Sequence, residues 1–196
     1  MLIDRYLRRF DTTEVQETRV AAQPAITYAA ILDADIRDPV VDALFAIREL
    51  PDRLARRLRH EAPRLAPAHM TFRDLASPAM GFVPLAEEEG VEFVVGAIGR
   101  FWKRDYGWYP FRAEEFTSFN APGYARIAIG FLVTPAGSGS ILRYEARTAA
   151  TDDAARRRFR RYWRLIHPGV ALVMRRALRK IRREAERRRD PAWEAA

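Results

Sequence analysis

The segment Asp152–Arg187 reads DDAARRRFRRYWRLIHPGVALVMRRALRKIRREAER. Thr151 supplies a capping hydroxyl before it, and Asp152 and Asp153 place acids at the positive end of a helix dipole. From there Phe159, Tyr162, Trp163, Ile166, Val170, Val173, Ala177, Leu178, Ile181 and Ala185 recur every three or four residues, the spacing of one helical face. The opposite face is a row of arginines. At about 1.5 Å per residue the segment spans roughly 50 Å, long enough to cross a whole domain. Pro168 interrupts it, but the apolar stripe continues, which predicts one bent helix rather than two.

A single long amphipathic helix needs an apolar surface to cover, and the preceding residues supply it. Phe82–Glu88 and Val91–Trp102 flank Gly90 as a hairpin would. In the second run Phe93, Val95, Ala97, Gly99 and Phe101 share one parity and are expected to face inward. Tyr124–Thr134 repeats the pattern with Ile127, Ile129, Phe131 and Val133. Ser140–Ala150 alternates Arg143, Glu145 and Arg147 with Leu142, Tyr144, Ala146 and Thr148 across a Gly137-Ser138-Gly139 turn, so one face is expected in water.

Towards the N-terminus, Thr13–Val20 alternates weakly and reads as a first strand. Gln23-Pro24 opens a helix carrying Ile26, Ala29, Ala30 and Leu32. A second helix is expected after Asp38-Pro39, using Val40, Val41, Leu44, Phe45 and Ile47 and ending near Leu50-Pro51. A Pro-rich loop follows over Glu61–Ala68. Thr71, with Asp74 three residues on, caps a short helix to Leu75. No repeat or linker divides the chain, so one α+β domain over residues 1–196 is expected.

The chain has 196 residues, of which 48% are hydrophobic, enough for a core without staples. It has no cysteine, which excludes disulfides, a thiolate nucleophile and thiolate zinc sites. Charges interrupt Met1–Tyr6 at once, and no apolar run approaches the roughly 20 residues of a membrane helix. A cytoplasmic protein without an integral membrane segment is expected. The net charge is +8, nearly all arginine, since Lys103 and Lys180 are the only lysines. A basic helix face can meet nucleic acid or anionic lipid, and a solvated face is the simpler reading.

One strand, two helices, a strand meander and a long C-terminal helix is the element order of the helix-grip fold, a curved antiparallel sheet wrapped around that helix. The run Glu14–Ala25, with its Ala-Gln-Pro step from strand into helix, resembles the START / polyketide-cyclase / birch-pollen-allergen (SRPBCC) superfamily. Phe159–Gly169 is similar to the C-terminal helix of a bacterial subgroup, as are Phe93–Trp102 and Asn120–Tyr124. The stretch Tyr106–Asn120 departs from the compact hairpin series and leaves the strand count open. The resemblance covers essentially the whole chain. It implies a fold shared by lipid carriers, receptors, cyclases, hydrolase-like enzymes and oxygenase subunits, and does not choose among them.

His60, His69 and His167 have no ligand partner at helical spacing, so no metal and no cofactor are expected. Glu87-Glu88-Glu89 reads as a solvated turn. The aromatics from Phe101 to Phe119 read as core and cavity mouth rather than a base-stacking surface, so no nucleic-acid partner is expected. The expected site is an internal cavity bordered by Phe93, Val95, Ala97, Phe101, Ile129, Phe131, Tyr144, Ile166 and Val170. Arg100 or Tyr162 is expected near its opening. Trp163 is either a core anchor or, with Tyr162 and His167, a polar tip that orients a ligand. The expected partner is a small apolar or amphipathic molecule, and a homodimer stays an open alternative. Two rivals remain. One is a cyclase- or hydrolase-type enzyme using Tyr144, His167 or Arg100. The other is a partner-binding domain exposing Val94, Ile98 and Trp102.

Overall fold

The computed structural model describes residues 1–35, 38–39, 71–75, 81–103 and 105–189. The helix expected after Asp38-Pro39, the Pro-rich loop, His60 and His69 lie outside the described residues. The chain runs α1 (Ile3–Tyr6), β1 (Thr12–Val20), α2 (Pro24–Asp33), α3 (Phe72–Leu75), β2 (Val83–Glu88), β3 (Glu92–Gly99), β4 (Ala125–Ala136), β5 (Gly139–Ala150) and α4 (Asp153–Arg188). A short 3₁₀ turn at Ala113–Glu115 interrupts the long β3–β4 connection. Among the described residues five strands form one curved antiparallel sheet in the order β1-β5-β4-β3-β2, and Tyr106–Asn120 adds none to it. A curved sheet closed on one face by a C-terminal helix is the helix-grip arrangement, an α+β fold.

Local chemistry explains the boundaries. Asp152 accepts the Ala155 N–H at 2.8 Å and so caps α4, which runs unbroken through Pro168. Pro24 occupies the first turn of α2. Thr71 and Asp74 form the reciprocal cap expected for α3. Gly137, at φ 64°, and Ser138 turn β4 into β5 at the Ala136–Gly139 pair, a conformation that favours glycine.

The sheet is covered on both faces, and this corrects two expectations. On the concave side Phe93, Val95, Phe131, Val133, Leu142 and Tyr144 pack with Met174, Ala177, Leu178 and Ile181 of α4. On the convex side Leu2, Ile3 and Leu7 of the N-terminal segment, with Phe116, bury Val94, Ile98, Ala128 and Ala149. Val94 and Ile98 are therefore core, and Trp102 packs against the cluster around Phe101 and Phe159, so the exposed apolar patch does not exist. Gly96 permits this covering, because a Cβ there would stand 2.7 Å from Leu85 and 2.8 Å from Phe116.

Two of the three charged residues on the charged parity of β5 are likewise not in water. Glu145 and Arg147 are buried beneath α1, where Arg147 Nε donates to Glu145 at 2.6 Å and its Nη1 donates to Asp4 at 2.7 Å. Glu92, only 3% exposed, accepts the Leu2 N–H at 2.7 Å and the Ile3 N–H at 3.3 Å. A buried carboxylate satisfied by two backbone donors ties the first turn of the chain to the centre of the sheet.

Candidate functional site

Register places the concave face residue by residue. Ala97, Ile127 and Thr148 lie in one row across β3, β4 and β5, and Thr12 of β1 completes it. Val95, Ile129, Ala146 and Glu14 form the next row, and Phe93, Phe131, Tyr144 and Gln16 the third. α4 crosses above these rows.

The three rows differ in how well they are filled. Phe131 and Tyr144 stack at 4.2 Å between ring centres, and Phe72 of α3 meets Phe131 edge-on at 4.5 Å, so the third row is plugged by aromatics. Ala97, Phe101, Ala125 and Phe159 seal the far end of the first row. Between them Ile127, Ile129 and Ala146 keep accessible surface although they sit mid-sheet and face the helix. Opposite them Tyr162, Trp163, Ile166, His167 and Val170 of α4 are also only half-buried. These half-buried residues, packed at the edges of the core clusters, are the candidate lining of a groove between sheet and helix.

The sequence-predicted residues thus divide into two sets. Phe93, Val95, Ala97, Phe101, Phe131 and Tyr144 are buried members of the flanking clusters. Ile129, Tyr162, Trp163, Ile166, His167 and Val170 border the half-filled centre. Arg100 stands apart: its guanidinium lies 4.3 Å from the centre of the Tyr124 ring, which packs with the convex cluster.

Polar groups converge at one side of the groove. His167 Nε2 and Glu14 Oε2 are 2.6 Å apart, with the Glu14 side chain 12% exposed and that of His167 44% exposed. Gln16 donates its amide to the other Glu14 oxygen at 2.5 Å. The Trp163 ring lies between Phe159, at 5.8 Å, and His167, at 5.2 Å, so the indole carries the apolar stripe up to the polar pair. Trp163 is therefore half anchor and half wall.

Tyr144 adds a second polar feature. It is 7% exposed and packs against Phe131 and Phe72. Burial pushes its phenol up, away from ionisation, so the hydroxyl remains a neutral donor throughout the physiological range.

Glu14 and Gln16 are the residues that sequence reasoning missed. Their signal is the weak alternation of β1: its inward parity is Thr12, Glu14, Gln16, Thr18 and Val20, largely polar where a core-facing strand would be apolar. The Glu87 expectation also needs amendment, since Glu87 accepts the Tyr28 hydroxyl at 2.6 Å and helps hold α2 to the sheet edge.

No protein-family model and no curated protein matches this chain. Among solved structures it is similar to protein MLL2253 from Mesorhizobium loti, with 13% identity over 90% of this chain and 98% of that one and a TM-score of 0.41. It is similar to CV1439 from Chromobacterium violaceum at 13% identity over 89% and 96% of the two chains, again with a TM-score of 0.41. The di-domain aromatase/cyclase StfQ of the steffimycin biosynthetic pathway gives 13% identity over 90% of this chain and 51% of that one, with a TM-score of 0.34.

Proposed function

We propose that the protein binds a small apolar or amphipathic molecule in the groove between the concave sheet face and α4. The supporting observation is the incomplete burial of Ile127, Ile129 and Ala146 against Ile166, His167 and Val170. An apolar surface of this kind, bordered by a few polar groups, is the usual make-up of a small-molecule site. The apolar body of the ligand lies over Ile129 and Ala146. Its polar end meets the Glu14–His167 pair.

An environment-sensitive apolar dye tests this. Saturable binding to the folded protein is expected, and Ala146→Phe should block it at little cost in stability. Ala97 is the wrong position for this test, because it is fully buried against Phe101 and Phe159. Absent dye binding, together with an overpacking loss of about 1–3 kcal/mol in Ala146→Phe, would sink the reading.

A second reading, a proton-transfer enzyme on the same groove, is favoured by one observation. A carboxylate beside an imidazole is the arrangement that orients a general base. Native mass spectrometry of protein purified from its own host separates the two readings. A binding module carries the same chemical species in wild type and in His167→Gln, at lower occupancy in the variant. An enzyme accumulates a different, unconverted species in the variant.

A further inference from the structure

We propose that the outward face of the N-terminal half of α4 docks on the surface of an anionic lipid bilayer. The observation is an imbalance along one helix. Arg157, Arg160, Arg161 and Arg164 are exposed and have no carboxylate partner among the described residues. Further on, the arginines largely pair: Arg176 with Asp38, Arg182 with Glu186, and Arg187 and Arg188 with Glu184. Along the helix, exposed arginines without a carboxylate partner are thus closest together in these two turns, with Arg175, Arg179 and Arg183 more widely spaced further on.

Apolar surface adjoins this charge. Leu165 is 82% exposed, the most exposed large hydrophobic residue described. Pro168 is exposed and Leu172 half-buried, and at 3.6 residues per turn both follow Leu165 along the same outward side. None of the three belongs to a core cluster. Beside them Arg157, Arg160, Arg161, Trp163 and Arg164 border a shallow, open cleft of about 410 Å³.

Guanidinium groups around exposed leucine side chains match a bilayer interface, where phosphates meet the cations and the acyl boundary receives the apolar residues. A nucleic-acid duplex would match the arginines but would leave Leu165 and Pro168 without a partner. The indole of Trp163 already has one face stacked on Phe159. No helix among the described residues is long and apolar enough to cross a membrane, so the contact is peripheral. The proposal is independent of what the groove binds.

Flotation with vesicles of phosphatidylcholine, with and without phosphatidylglycerol, tests it on the full chain. Binding is expected only with the anionic lipid and should fall steeply with added salt. The triple variant Arg157→Gln/Arg161→Gln/Arg164→Gln should bind about a hundredfold more weakly, from about fivefold per arginine. Leu165→Gln, a change at an exposed position that leaves the fold intact, should also weaken binding. Arg179→Gln/Arg183→Gln, which removes charge outside the patch, should bind like wild type. Any of three results overturns the proposal: no preference for anionic vesicles, an equal loss in the Arg179/Arg183 variant, or stronger binding to duplex DNA that Leu165→Gln leaves unchanged.

Discussion

Phe159 and Trp163 lie one turn apart on α4 and have different tasks. Phe159 is fully buried between Ala97, Phe101 and Ala125, whereas Trp163 is only half-buried. Phe159→Ala is therefore expected to cost about 3–5 kcal/mol, and Trp163→Ala distinctly less, by comparison of denaturant midpoints. Tyr144 gives a second residue-scale test. Tyr144→Phe removes only the hydroxyl from a ring packed on Phe131 and Phe72, so stability should change by no more than about 1 kcal/mol. A clear loss of stability would mean that the hydroxyl is bonded in the free protein. The large residues of this region were legible in the sequence because periodicity marks them. The Glu14–His167 pair was not, because its members are 153 positions apart and only the β1–α4 packing brings them together.

At the scale of elements, the strands and the Thr71–Asp74 cap followed from alternation and capping chemistry, although α4 is capped by Asp152 rather than by Thr151, whose hydroxyl donates to the Tyr124 carbonyl. The covering of the convex face did not follow from them. The element responsible, α1, has four residues, too few for any periodicity to register. Its hold on the sheet is electrostatic as well as apolar. Glu92→Ala leaves the Leu2 and Ile3 N–H groups buried without an acceptor and should cost about 1–3 kcal/mol in a denaturation measurement. Acid should loosen the same element. The Arg147 hydrogen bond holds the Asp4 carboxyl below its ordinary value of 3.8. A depressed folded value means that the stabilisation is present above the ordinary value and is lost as pH falls through the folded one. The amide resonances of Leu2–Leu7 should therefore move towards random-coil positions at the acid end of a titration, and Asp4→Asn should show that loosening already at neutral pH. In α4, Pro168 removes one backbone donor from an otherwise continuous helix. Pro168→Ala should raise the melting temperature, with a gain below the roughly 3 kcal/mol of an interior proline because the freed chain also gains entropy when unfolded.

For the molecule as a whole, the groove and the arginine face lie on opposite sides of one helix, with Trp163 touching both. The sheet order has a consequence for how the chain is made. Among the described residues β1 pairs only with β5, Thr12 opposite Thr148 and Val20 opposite Ser140, so the first strand to leave the ribosome waits for the last. At about 5–20 residues per second that wait is on the order of ten seconds. During it a nine-residue strand has neither neighbour nor helix to cover it. Glu14, Gln16, Glu17 and Arg19 keep that strand hydrated and disfavour pairing with another nascent chain. The same polar residues that line one side of the groove in the finished protein thus protect the newborn chain from aggregation, and replacing Glu14 and Gln16 with valine should lower soluble yield before it alters the melting temperature.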